Sequence, residues 1–292
     1  PVLTSRTLNE MFGCNMFFKC ENFQKVGAFK ARGALNAVLS LPRENLRNGI
    51  ATHSSGNHAQ ALAYAGRIVG TKTTIIMPST ASQVKISAVR GYGAEIIFCE
   101  PNQKSREETL AKFVSRTNAK FIHPYDNYFV IAGQGTACKE LIEDVGSLDF
   151  ILTPVGGGGL LSGTSIATKY LSPRTQIIGV EPKGADDAFR SLRDGRIYPS
   201  IEPRTIADGL LTSLSERTFT IIKNNVKQIL TVAEESIIQS MKLIYERMKI
   251  IVEPSGAVPL AAVVEYPEVF RGGNVGLILS GGNVDLRKLS FF

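Results

Sequence analysis

The sequence predicts an α/β fold in two lobes, with parallel-type twisted sheets flanked by helices, and three observations lead there. From Gly49 onward, short β-branched runs alternate with longer amphipathic ones, the pattern of strands joined by crossover helices. That alternation ends a first series near residue 126 and begins a second one after it. The chain has 292 residues, enough to divide its core between two lobes.

Taken in order, "MFFKCENF" (16–23) reads as a short strand because aromatic and apolar residues dominate it and Gly27 follows soon after. "KARGALNAVLSL" reads as a helix, with Leu35, Val38 and Leu39 at helical spacing among helix-forming alanines. Next, "GIATHS" precedes "GNHAQALAYAGRIVG", "TTIIMP" precedes "ASQVKISAVRGYG", and "EIIFCE" precedes "SREETLAKFVSRT", with "KFIHP" closing the series. These units are expected to form one compact small domain over 49–126. The second series runs through "VIAGQGTACKELIEDV", "FILTPVGGGGLLSGTSIATKYL", "TQIIGVEP", "VKQILTVAE", a long helix "EESIIQSMKLIYERMK", a helix "SGAVPLAAVVEY" and a last strand "VGLILSGGN". It joins 1–48 to 127–292 as the large domain, so the small one is an insertion. No solenoid repeat or low-complexity linker interrupts the chain.

Composition narrows the function classes. Hydrophobic residues make up 43% and charged ones 20%, which is ordinary for a folded enzyme and excludes a disordered polar tract. The net charge of +7 is spread along the chain with no basic run interleaved with aromatics, so nucleic acid is not an expected partner; anionic small molecules suit it better. Cys14, Cys20, Cys99 and Cys138 lack metal-ligand spacing with each other or with the three histidines, which argues against zinc and against a disulfide framework. No run is long enough to span a membrane and "PVLTSRTLNE" lacks a signal-peptide pattern, so a reducing, cytoplasmic setting is expected. A start on Pro1 suggests a processed or trimmed chain.

Five places carry candidate chemistry. Lys30, in "VGAFKARGA", sits at a helix start, where the backbone dipole disfavours a cation; the alternative is a surface lysine lying over apolar neighbours. "TPVGGGGLLSG" puts four glycines between a strand and a helix, so successive N–H groups can turn toward one anion, unless they only make a tight turn. It lacks the lysine and serine of a nucleotide P-loop. "SSGNHAQALA" offers the Ser55 hydroxyl, the Asn57 amide and free N–H groups to a ligand, or else is an ordinary helix cap. "ILSGGNVD" ends a strand on Ser280, and ligands in open α/β sheets gather at such ends; a glycine turn is the alternative. "GVEPKGADD" brackets a loop with Glu181 and Asp187, which suits a hard divalent cation or a solvated acidic turn equally. A lysine, a phosphate cradle, an amide and a strand-end serine together suit pyridoxal 5'-phosphate.

Nearly the whole chain resembles the fold-type II pyridoxal-phosphate enzymes, within them the serine racemase and serine/threonine dehydratase branch. "KCENFQKVGAFKARGA", "SSGNHAQA", "VIAGQGT", "PVGGGGLLSG", "TIADG", "ERMKIIVEPSGA" and "LSGGNVD" carry the resemblance in this order. It implies that Lys30 bonds the cofactor, that Phe29 packs beside its ring, and that Asn57 contacts the ring's 3'-oxygen. It further implies that Gly156, Gly157, Gly158 and Gly159 hold the phosphate and that Ser280 faces the pyridine nitrogen. A serine there, where other families use a carboxylate, favours expelling a β-hydroxyl to give a keto acid and ammonia.

Ser55 matches the serine that, in racemases of this family, moves a proton on the face opposite the lysine; many threonine deaminases carry alanine there. Interconversion of L- and D-serine is therefore expected beside dehydration of serine, with threonine as a second candidate substrate. Ser54, Ser55, Asn57, His58 and Gln60 are expected to close over the substrate carboxylate as the small domain moves. Glu181, the Ala185 carbonyl and Asp187 match a divalent-cation loop for Mg, Ca or Mn. ATP as an effector and a homodimer follow by the same analogy. A chain ending soon after "GGNVDL" is expected to lack a regulatory domain and isoleucine feedback. "HPYDNYFVIAGQGT" is closer to dehydratases, including those acting on L-threo-3-hydroxyaspartate, which is the rival substrate. A phosphate- or nucleotide-binding protein without catalysis is the alternative of a different class.

Overall fold

A computed structural model of the chain describes residues 1–289. In chain order the elements are β1 (Val2–Leu3), α1 (Arg6–Phe12), β2 (Asn15–Cys20), α2 (Lys30–Leu39), α3 (Arg43–Leu46), β3 (Ile50–His53), α4 (Asn57–Val69) and β4 (Thr73–Pro78). There follow α5 (Gln83–Gly91), β5 (Glu95–Cys99), α6 (Gln103–Thr117), β6 (Lys120–Phe121), α7 (Tyr128–Val145), β7 (Phe150–Pro154), α8 (Gly159–Leu171), β8 (Gln176–Pro182) and α9 (Asp187–Asp194). The last are α10 (Glu216–Asn225), β9 (Gln228–Val232), α11 (Glu234–Leu243), α12 (Pro254–Glu265), α13 (Pro267–Phe270) and β10 (Asn274–Leu279).

Two compact units emerge, one of Lys30–Gly133 and one of Pro1–Phe29 with the chain from Gln134 onward. The first holds a four-stranded parallel sheet in the order β5-β4-β3-β6. Helix α2 belongs to it because its buried face, Ala31, Gly33, Ala34, Ala37 and Val38, packs on α4. The second unit holds a six-stranded sheet, β1-β2-β10-β7-β8-β9, parallel except for β1 against β2. Its strands β7 and β8 are mostly apolar and buried after their first residue, as expected where helices cover both faces. Helix α12 is buried from Pro254 through Val263 and is correspondingly apolar all round.

Two expected elements end differently. Strand β2 stops at Cys20, and Glu21–Phe23 form a 3-10 turn instead, with Gln24 N bonding to Glu21 O at 3.1 Å. The long helix starting at Glu234 widens into a π-turn over Ile244–Met248 and closes on Lys249 in the left-handed region. Strand β2 also carries a buried lysine, Lys19, neutralised by Glu140 at 2.7 Å and Asp144 at 3.7 Å. All four cysteines are free thiols and buried. No helix among the described residues is long and apolar enough to cross a membrane.

Candidate active site

In the unit Lys30–Gly133, Lys30 is the first residue of α2 and its amine donates to the carbonyl of Pro124 at 2.9 Å. The "SSGNH" loop follows β3 at its carboxyl end and turns into α4, with Gly56 at the cap. No side chain caps α4 through Gly56, and Ala59 N donates to Gly56 O at 3.1 Å in its first turn. Ser54 Oγ accepts from Gly56 N at 3.3 Å, which shapes the turn. Ser54, Ser55 and Asn57 are partly exposed, while His58 and Gln60 are buried. His58 Nε2 contacts the Ile122 carbonyl at 3.2 Å, which makes it the protonated nitrogen, and the buried Nδ1 has no hydrogen-bond partner among the described residues. Burial, with Lys30 nearby, holds its pKa well below the usual histidine value. This loop therefore presents hydroxyls, an amide and a neutral imidazole.

The other unit carries the glycine loop between β7 and α8. Gly158 adopts φ 82°, ψ 0°, and a Cβ there would lie 2.7 Å from Leu214 Cδ2 and 2.9 Å from Ile222 Cδ1. A Cβ on Gly156 would meet Gly209 O and Leu210 Cα at 3.1 Å. The first bond into α8 runs from Ser162 N to Gly158 O at 2.8 Å, leaving the preceding N–H groups at the positive end of the helix. Backbone amides with no side chain among them fit a phosphate group.

Ser280 follows β10 and is buried, and its carbonyl accepts from Phe29 N at 2.9 Å. The Ala28–Gly281 bridge and a bond from Gly282 N to Gly27 O at 2.9 Å continue this pairing, so residues 27–29 run beside the strand end. Phe29 packs on the cluster that includes Val155, Leu160 and Ile278. Just before it, Val26 is a β-branched residue at φ 57°, held by Asn283 Nδ2 donating to its carbonyl at 2.7 Å.

Glu181, at the end of β8, and Asp187, the first residue of α9, are both buried. Glu181 accepts from Ala188 N at 3.2 Å and Phe189 N at 2.7 Å. Neither oxygen of Asp187 reaches a hydrogen-bond partner in good geometry among the described residues, although the Ser200 hydroxyl lies near enough to lower its pKa. Burial pushes Asp187 up to about 6, and burial together with Asp187 raises Glu181 well above the carboxylate range. Ala185 lies buried in the turn between them. No group of three or more His, Cys, Asp or Glu gathers among the described residues, so a cation here would need the two carboxylates plus a carbonyl. The two buried Asp187 oxygens fit that role.

Sequence reasoning missed Val26 and Asn283, as well as His123 and Pro124 beside Lys30. "HPYDN" held a signal for the last pair, since a side-chain acceptor followed by proline and then Asp-Asn marks a tight turn.

The chain belongs to the pyridoxal-phosphate-dependent enzymes: that family's model matches residues 1–281. It is 50% identical to the beta-hydroxyaspartate dehydratase of Paracoccus denitrificans (strain Pd 1222), over 99% of this chain and 92% of that one. It is 47% identical to the L-threo-3-hydroxyaspartate ammonia-lyase of Saccharomyces cerevisiae, over 99% of this chain and 89% of that one. Among solved structures, serine racemase from Dictyostelium discoideum matches with a TM-score of 0.93 at 50% identity, covering 98% of this chain and 93% of that one.

Proposed function

We propose that this protein is a pyridoxal-phosphate-dependent serine racemase and dehydratase, which interconverts L- and D-serine and converts serine to a 2-keto acid and ammonia. One observation carries the reading: the unit that begins at Lys30 also has a hydroxyl at Ser55, in the loop that opens α4. A racemase needs a proton carrier on each face of the substrate Cα, and a dehydratase needs only one. Bound pyridoxal phosphate supplies the electron sink that acidifies the Cα–H. Lys30 removes that proton on one face and Ser55 delivers or removes it on the other. Gly156, Gly157, Gly158 and Gly159 bind the phosphate, Phe29 lies against the ring, Asn57 meets its 3'-oxygen and Ser280 its nitrogen. Ser54, Ser55, Asn57, His58 and Gln60 hold the substrate carboxylate, with 49–126 as the moving part.

Glu181, the Ala185 carbonyl and Asp187 hold a divalent cation, Mg, Ca or Mn, remote from the bond changes. A homodimer in the cytoplasm, with ATP as an effector, completes this reading by analogy with the racemase branch.

The test is a paired assay with L-serine and Mg²⁺, following D-serine and pyruvate on one preparation of the wild type and of Ser55→Ala. D-serine formation is expected to fall by about 100-fold or more in the variant while pyruvate formation persists. Equal loss of both products, or no D-serine from either protein, would remove the racemase half.

A second reading, L-threo-3-hydroxyaspartate ammonia-lyase, is favoured by the relatives at 50% and 47% identity that carry hydroxyaspartate activities in their names. Substrate profiling separates the two, because efficient turnover of hydroxyaspartate with poor turnover of serine would replace the first reading by the second.

A further inference from the structure

Once Lys30 is not engaged covalently, its amine must still be held at one angle to move a proton productively. Its acceptor, the Pro124 carbonyl at 2.9 Å, lies in the short segment between β6 and α7. Pro124 has no N–H of its own, so that residue cannot pin itself through a donated backbone bond. The anchor is the preceding side chain. His123 Nδ1 accepts from the backbone N–H of Asp126 at 2.8 Å and of Tyr125 at 3.3 Å. Both partners are donors, so Nδ1 is an unprotonated acceptor, and the proton of the neutral ring is on Nε2.

The imidazole is wedged among aromatic rings. Tyr125 meets it edge-on with centroids 4.6 Å apart, Phe121 at 5.5 Å and His53 at 6.2 Å. The far end of the segment is tied as well, because Asn127 Oδ1 accepts from Phe129 N at 2.8 Å and Val130 N at 3.2 Å. Asn36 of α2 donates to the Phe129 carbonyl at 2.7 Å, which ties that end to the same helix that begins at Lys30.

We propose that His123 is a positioning residue: as a neutral, Nε2-protonated imidazole it latches the turn 123–126 and so fixes the Pro124 carbonyl that orients the Lys30 amine. This rests on the reading of Lys30 as the proton-transferring group. An amine that donates one hydrogen to Pro124 keeps its lone pair directed elsewhere, as a base requires. The latch is closed only while His123 is neutral. A proton on Nδ1 would face two N–H donors, so acid opens the turn. The titratable and charged groups around the ring are His53 at the end of β3, Tyr125 and Asp126 in the turn, His58 of α4 and Lys30 of α2, with Arg106 and Glu107 of α6 beyond His53.

The experiment compares the cofactor-loaded wild type with His123→Ala and His123→Asn. Asparagine places a carbonyl oxygen where it accepts from the N–H groups two and three residues on, and it does not titrate. His123→Ala is expected to lower kcat for pyruvate formation about 10- to 100-fold with KM for L-serine within about 3-fold of wild type. His123→Asn is expected to recover most of that loss and to move the acid limb of the kcat profile to lower pH. An alanine variant with wild-type kcat and an unmoved acid limb would overturn the proposal, as would an asparagine variant no better than alanine.

A readout independent of turnover uses selective ¹⁵N-histidine labelling, which is tractable because the chain has three histidines. The signal absent from His123→Asn is expected to show the Nε2–H tautomer, and an Nδ1–H tautomer would refute the latch. A wild-type protein that takes up no cofactor would sink the reading of Lys30, and the imidazole signals would still decide whether the latch exists.

Discussion

His58 shows how one buried side chain links this fold to pH. Its pKa in the folded chain is held well below the ordinary 6.5, by burial first and by Lys30 next. The unfolded chain therefore binds the proton more readily. The contribution of His58 to stability is fully present above about 6.5 and is lost as pH falls below it, by up to ~1.4 kcal/mol per pH unit. Urea unfolding at pH 7.5 and 5.5 is expected to show this loss, and His58→Asn to flatten it by close to one proton. An unchanged slope in the variant would mean that His58 titrates alike folded and unfolded. Its side chain also shows what the chain conceals: "GNHAQ" announces a helix start, but nothing in it says that His58 turns inward to the Ile122 carbonyl, a partner 64 residues away.

At the scale of elements, the corner from β8 into α9 is the most informative. Strand β8 delivers Glu181 to the amides of Ala188 and Phe189, and α9 starts on an Asp187 whose oxygens reach no hydrogen-bond partner in good geometry among the described residues. With its pKa raised to about 6 from 3.8, Asp187 binds its proton more tightly folded than unfolded. Stability from this group is present at acid pH and is lost as pH rises from about 4 through about 6. A divalent cation that replaces the proton is expected to raise Tm by several degrees at pH 7.5 and by less at pH 5, relative to EDTA. Asp187→Asn is expected to abolish that cation response, and a response equal in both proteins would place the cation elsewhere.

How far elements are legible depends on the signal that forms them. Alternating strands and helices, the glycine loop and the lysine at a helix start are written in hydrophobic period and in glycine placement. The stop of β2 at Cys20 is not, because Phe23 continues the aromatic run while its backbone turns. The π-turn at Ile244–Met248 is invisible to a 3.6-residue pattern, since it is a change of winding within one apolar face. Helices α9 and α10 are hard to read from apolar runs because they are short and polar on average, and α10 is opened by the Ser215–Thr218 capping box.

The whole molecule consists of two units, each with its own parallel sheet, and the chain passes between them at Phe29–Lys30 and at Gly133–Gln134. The first crossing falls between the residue expected against the cofactor ring and the lysine expected to bond it. The second falls within "VIAGQGT", where Gly133 approaches Arg32 and Gly33 of α2, and Gly135 approaches Gly163 of α8. Either glycine therefore serves the packing of its own unit.

The buried thiols turn this architecture into its own reporter. Burial raises the pKa of every cysteine, to about 12 at Cys20 and about 11 at Cys138, so at pH 8 only about one Cys20 thiol in ten thousand is ionised while the fold is closed. Alkylation by iodoacetamide is thus gated by opening of the chain. Cys99 samples the unit 30–133, and Cys14, Cys20 and Cys138 the other, so peptide mass spectrometry along a urea series is expected to yield two separate opening curves from an unmutated protein. Coincident curves would instead mean that the two sheets melt as one cooperative body.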